Sequence, residues 1–115
     1  IVDGILGTGI DKPVRGVSLD AILAIQESTA SVLSIDMPSG LNHITGQVAA
    51  GGHAVKATWT LNLHMIKSGQ VADGAKEYVG ELWSAESALG FATFGDELLT
   101  KFVNLYKDGP IVKIG

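Results

Sequence analysis

The stretch Ser31-Val32-Leu33-Ser34-Ile35, running into Asp36-Met37-Pro38-Ser39-Gly40-Leu41, decides the fold reading. Its first five residues, rich in β-branched and apolar side chains, read as a buried strand. Proline and glycine so soon afterwards stop both strand and helix. Residues 1–6, Ile1-Val2-Asp3-Gly4-Ile5-Leu6, form a second apolar run of the same kind, and it too ends on a turn, Gly7-Thr8-Gly9. Between the two runs a helix is predicted over about 19–28, with Leu19, Ile22 and Leu23 on one face and Ser18 as its cap. Further along, residues 41–53 read as an irregular loop, and short helical turns are expected near 51–56 and 74–78. Strands are expected at about 57–63, 81–85 and 111–114. A last helix is marked by Leu98, Leu99, Phe102, Val103 and Tyr106, with Asp96 as cap and Gly109 just beyond its end. Strands alternating with helices in this way predict one α/β domain over 1–115, with a mostly parallel sheet.

Composition agrees with that reading. Apolar residues make up 46% of the 115, and mean hydropathy is +0.31, as suits strands that read as continuous apolar runs. Net charge is −4 with no basic cluster, so the sequence offers nothing to a phosphate backbone and predicts no nucleic-acid partner. The absence of cysteine excludes disulfides and thiolate chemistry and fits a cytoplasmic setting. No apolar run approaches the roughly 20 residues that span a bilayer, so no membrane partner is expected. The sequence opens inside an apparent strand, from which a longer protein with a segment before Ile1 is expected.

Chemistry in open parallel sheets lies at the carboxyl ends of the strands. Two such ends carry unusual residues. The first, Gly7-Thr8-Gly9-Ile10-Asp11-Lys12-Pro13, has two glycines that allow close backbone approach and free N–H groups, which a phosphate oxygen needs, and Lys12 adds a positive charge. It lacks the third glycine of the dinucleotide fingerprint, and a plain glycine turn is the competing reading. The second is the Asp36–Leu41 segment. Asp36, backed by an apolar strand, is a candidate acid or base, with a simple turn cap as the alternative. Asp3 within the first strand is costly unless paired or bound to a cation, so it reads either as an oxygen ligand or as a strand-end acceptor of backbone hydrogen bonds. Ser39 could supply a further oxygen. His43, His53 and His64 lack metal-ligand spacing and read as structural or surface residues, Ser39 lacks a nucleophile-elbow frame, and Trp59 and Trp83 are expected in the core.

Together these segments resemble a known family. Val2-Asp3-Gly4-Ile5-Leu6-Gly7-Thr8-Gly9 is similar to the "VDAlfGTGl" segment of the NAD(P)H-hydrate epimerases, the YjeF N-terminal domain family, and Arg15-Gly16 to its "plrG" continuation. Val32 to Leu41 resembles the "vlavDiPSGld" signature, with Thr45-Gly46 at the following "TG". Ala57-Thr58-Trp59-Thr60-Leu61, Lys67 and Gly80-Glu81-Leu82-Trp83 resemble later segments in order, while Asn42 and Ser68 stand where Asp and Pro are usual. The resemblance covers about residues 1–85. It implies a three-layer Rossmann-like sandwich, whose N-terminal part, with a Gly/Asn-rich loop, is expected upstream of Ile1.

For function, the resemblance implies an isomerase of nicotinamide nucleotide repair that interconverts the R and S epimers of hydrated NADH and NADPH (NADHX and NADPHX). It further implies that Gly7, Thr8, Gly9, Ile10, Asp11, Lys12, Pro13 and Asp36 bind this substrate and that Asp36 acts as the catalytic residue. Asp3 and Ser39 are implied to hold a potassium ion, and a homodimer is implied as the assembly. Two other readings stay open on the sequence: a non-catalytic binding module on the same fold, and the epimerase half of a bifunctional epimerase/dehydratase.

Overall fold

The apolar runs become strands, and their turns gather at one edge. The computed structural model describes residues 1–86 and 95–115. In it β1 (Val2–Asp3), β2 (Leu33–Ile35), β3 (Trp59–Leu63), β4 (Glu81–Ala85) and β5 (Ile111–Lys113) form one sheet, ordered as in the sequence. β1 to β4 run parallel, and β5 returns antiparallel to β4. α1 (Gly16–Glu27) joins β1 to β2. A 3₁₀ turn at Ser68–Gln70 and α2 (Lys76–Val79) lie between β3 and β4, and α3 (Asp96–Leu105) precedes β5. The α/β, mostly parallel expectation holds, and the arrangement is consistent with a Rossmann-like fold.

Burial is one-sided. The register aligns Asp3, Ser34, Thr60 and Leu82 across the four parallel strands, and all four are buried. Met37, Leu41, Ala54, Ala75, Val79 and Leu82 form one apolar cluster, and Ile22, Val32 and Val55 form another. The polar members of the buried face are satisfied: Thr60 Oγ1 donates to the Val79 carbonyl at 2.8 Å, and Asn62 Nδ2 donates to Ser84 Oγ at 2.9 Å. Strand alternation puts Val2, Leu33, Ile35, Trp59, Leu61, Leu63 and Trp83 on the other face, and none of them is buried. The expectation that both tryptophans are core is therefore corrected. Trp59 is exposed and Trp83 half-buried, because both occupy the face that the described helices do not cover.

Boundaries shift for identifiable reasons. β1 keeps two residues of the six expected, since the chain leaves the sheet edge at Gly4. α1 starts at Gly16, in a left-handed conformation after an extended Arg15, so Ser18 lies inside the helix and is not its cap. Gly95, not Asp96, caps α3, and the helix ends at Leu105, well before Gly109. On α3 Phe102 is buried, as is Tyr106 just past its end, whereas Leu98 and Val103 face outward. The short helix expected near 51–56 is absent. Val55 N donates to the Ser39 carbonyl at 2.9 Å, and Ala54 and Val55 are buried, so this segment is pinned flat against the Asp36–Leu41 turn.

Candidate functional site

Both conspicuous turns leave the carboxyl ends of β1 and β2, and side chains of the second hold the first in place. Ser39 Oγ accepts a hydrogen bond from Leu6 N at 2.9 Å. Asn42 Nδ2 donates to the Ile10 carbonyl at 2.8 Å, while its Oδ1 accepts from the amides of Ile44 and Thr45. His43 Nδ1 accepts from Gly9 N at 3.3 Å. Sequence reasoning assigned Asn42 and His43 no part in this loop; their only sequence signal was their place directly after Ser-Gly-Leu.

The glycine loop itself stays open. Residues 7–9 and 11–13 are exposed, and among the described residues the amides of Gly7, Thr8, Ile10, Asp11 and Lys12 have no intramolecular acceptor. Gly9 sits at φ 86, a conformation that glycine tolerates best, and a Cβ on Gly7 or Gly9 would meet nothing within 4 Å. Lys12 makes no ion pair among the described residues. A cleft of about 270 Å³ follows the loop from Leu6 past Pro13 to Ser18, and a second of about 220 Å³ lies between Ile10, Asp11, Asn42 and Gln47. Unsatisfied amides beside a free ammonium are suited to an anionic oxygen.

Asp3 is the hub beneath the two turns. It is fully buried and accepts four hydrogen bonds. Oδ2 takes Ser34 Oγ at 2.7 Å and Ser39 N at 2.9 Å, and Oδ1 takes Ser39 Oγ at 2.6 Å and Ile5 N at 3.3 Å. Among the described residues it has no cationic partner. These bonds offset the desolvation of the charge. Asp3 and Ser39 thus meet at one point, with the Leu6 carbonyl 3.2 Å from Ser39 Oγ. Carboxylate, hydroxyl and carbonyl are all hard oxygen donors and together carry one negative charge, which fits a hard monovalent cation in kind. A full shell would need further oxygens from elsewhere. No group of three or more His, Cys, Asp or Glu converges among the described residues.

Asp36 stands at the end of β2 with φ 70, in the left-handed region where a side chain other than Gly, Asn or Asp is uncommon. The backbone is gripped there. Asp36 N donates to the Leu61 carbonyl at 2.8 Å, and the Asp36 carbonyl accepts from Gln70 Nε2 at 2.7 Å. Gly40, at φ 96, closes the turn, and a Cβ there would strike the His53 carbonyl oxygen. The Asp36 side chain is less than a quarter exposed, and its Oδ1 pairs with Lys67 Nζ at 2.7 Å and accepts from Leu63 N at 3.3 Å. Its Oδ2 has no partner among the described residues. Lys67 entered the sequence reading only as part of a family motif; the structure brings it to the candidate acid–base residue. Of the other histidines, His53 is exposed and His64 lies against the Phe102 ring at a centroid distance of 5.8 Å.

A family model described as the YjeF-related protein N-terminus matches residues 1–69. The NAD(P)H-hydrate epimerase of Limosilactobacillus reuteri (strain DSM 20016) is 44% identical over 82 residues, which cover 71% of this chain and 38% of that protein. The bifunctional NAD(P)H-hydrate repair enzyme Nnr of Pyrobaculum aerophilum is also 44% identical over 82 residues, 71% of this chain and 16% of that protein. The bifunctional NAD(P)H-hydrate repair enzyme of Leishmania infantum is 46% identical over 82 residues, 71% of this chain and 14% of that protein. The chain thus spans well under half the length of the curated relatives it matches.

Proposed function

This chain belongs to the YjeF-related N-terminal family, and on that premise we propose that the protein is an NAD(P)H-hydrate epimerase, interconverting the R and S forms of hydrated NADH and NADPH. The observation that carries the reading is the Asp36 carboxylate: one oxygen is tied to Lys67 and Leu63 and the other is open, at the end of β2, while the neighbouring parallel strand β1 leads into a loop with five free amides. The reacting carbon of the hydrate is a hemiaminal. It inverts by reversible loss of its hydroxyl or by ring opening, and either route needs a group that gives and takes a proton. In this reading the open oxygen of Asp36 does so, while the amides of Gly7, Thr8, Ile10, Asp11 and Lys12, with the Lys12 ammonium, receive the nucleotide phosphates. Gly9 and Pro13 shape that loop.

The donor set at Asp3 and Ser39 supports a potassium ion as cofactor of the same site. When bound, such an ion supplies a fixed positive charge that orders nearby anionic oxygens. The cysteine-free composition suits a cytoplasmic setting. No helix among the described residues is long and apolar enough to cross a membrane.

The test is Asp36→Asn in the full-length protein, which keeps the shape and removes the base. General acid–base catalysis contributes about 10²–10⁴-fold, so equilibration of the two NADHX epimers, followed by chromatography, is expected to slow at least about 100-fold. A folded variant that equilibrates them at the parental rate would remove Asp36 from the chemistry, and a parent that does not speed their equilibration would remove the reading.

A further inference from the structure

The candidate base is held by a second residue that the family resemblance gives no role, and the way it is held carries an inference. Lys67 Nζ reaches four oxygens: Asp36 Oδ1 at 2.7 Å, Asn62 Oδ1 at 2.8 Å, and the Leu63 and Met65 carbonyls at 3.1 Å each. An ammonium has three N–H donors, so this one is fully committed. Three of the four oxygens belong to β3 or the turn after it, so the ammonium is located by the sheet and Asp36 is in turn located by the ammonium. The main chain is held from the same turn: Gln70 accepts from Lys67 N at 2.8 Å through Oε1 and donates to the Asp36 carbonyl at 2.7 Å through Nε2.

The anchor extends into the core. Asn62 donates to Ser84 Oγ at 2.9 Å, and Ser84 Oγ is 2.6 Å from the Oη of Tyr106, the residue that follows α3. A buried polar chain therefore runs from the C-terminal end of α3 through β4 and β3 to Lys67 and Asp36. Tyr106 lies outside the segment that the family model matches. We propose that Lys67 is the positioning residue of this site: anchored through Asn62, Ser84 and Tyr106, it clamps one Asp36 oxygen so that the other faces the substrate.

Lys67 acts here through Asp36 and not on the reacting atoms. A surface ion pair would not need this arrangement. Both side chains are less than a quarter exposed, which limits screening, and a base whose reactive oxygen swings freely loses the gain from fixed geometry.

The inference rests on the epimerase reading, and the experiment separates the two. Lys67→Met, Asp36→Asn and the double variant of the full-length protein are assayed for steady-state epimerisation of NADHX. Lys67→Met is expected to lower kcat by about 10- to 100-fold, the scale of a misplaced group, with KM within about threefold. In the Asp36→Asn background the same change is expected to cost less than about twofold, since a residue that acts through Asp36 has nothing left to position. Equal losses in both backgrounds, or a folded Lys67→Met at the parental rate, overturn the inference. A parental rate in Asp36→Asn also overturns it, whereas a parent that does not speed epimerisation overturns the epimerase reading instead. If Lys67→Met does not fold, Lys67→Arg, which keeps the charge but moves its centre, is judged by the same two-background comparison.

Discussion

Replacing Asp3 by Asn removes a charge without changing shape, and the geometry around it fixes the cost. All four of its neighbours are donors: two serine hydroxyls and the amides of Ser39 and Ile5. An asparagine offers one oxygen and one NH₂. If the NH₂ took the place of Oδ2 it would face Ser39 N head-on at about the present 2.9 Å, with no freedom to turn. The cheaper orientation puts it at Oδ1. The long bond from Ile5 N is then lost, and the Ser39 hydroxyl turns over to donate to the Leu6 carbonyl. Even so, the remaining bonds lose their charge assistance, worth roughly 1 kcal/mol each, and one amide is stranded at a cost of about 1–3 kcal/mol. Relief from burying a charge offsets part of this. The expected net destabilisation is about 2–3 kcal/mol, read as a lower urea midpoint at unchanged slope. A loss below about 0.5 kcal/mol would refute the account of Asp3 as the hub beneath the two turns.

Gly40→Ala forces a side chain into the left-handed region and against the His53 carbonyl, so a loss of about 3 kcal/mol is expected in the same titration; a near-neutral result would mean the turn can relax. Exchanging potassium for tetramethylammonium at equal ionic strength is expected to lower the melting temperature of the full-length parent but not of Asp3→Asn. Indifference of the parent would remove the cation from Asp3 and Ser39. Glu77→Gln, which breaks an exposed 3.4 Å pair with Lys56, is expected to change stability by less than about 0.5 kcal/mol in chemical denaturation.

The parallel sheet was legible because its strands are apolar runs closed by turn residues, as at Ile35 before Asp36 and Leu6 before Gly7. Which side of the strands meets the core was not. Thr60 and Asn62 look like the solvent side of β3 and Trp59 and Leu63 like the buried side, yet the reverse holds. Periodicity gives alternation but not its sense when polar residues bond one another in the interior. The glycine loop and the Asp36 turn stood out for their residue types alone. Lys67, Asn42 and His43 did not, because their contacts join residues roughly 30 positions apart, or lie in a turn whose direction no local pattern records. The roles assigned to Asp3, Ser39, Asp36 and the 7–13 loop rest on the family resemblance together with this geometry.

Pairing along the sheet has a consequence for how the chain reaches this state. Every ladder contact between the named strands joins residues more than about 20 positions apart: Val2 to Leu33, Leu33 to Trp59, Trp59 to Glu81 and Trp83 to Lys113. Among the described strands no hairpin is available to nucleate cheaply, since the one antiparallel strand pair, β4 with β5, is also separated by a helix. Loop entropy must be surrendered before any strand gains a neighbour, so the search for the first correct pair sets the rate. Until that pair forms, the tryptophan-bearing strands remain open to strands of other molecules. Yield on refolding should therefore fall with protein concentration well before stability itself becomes limiting.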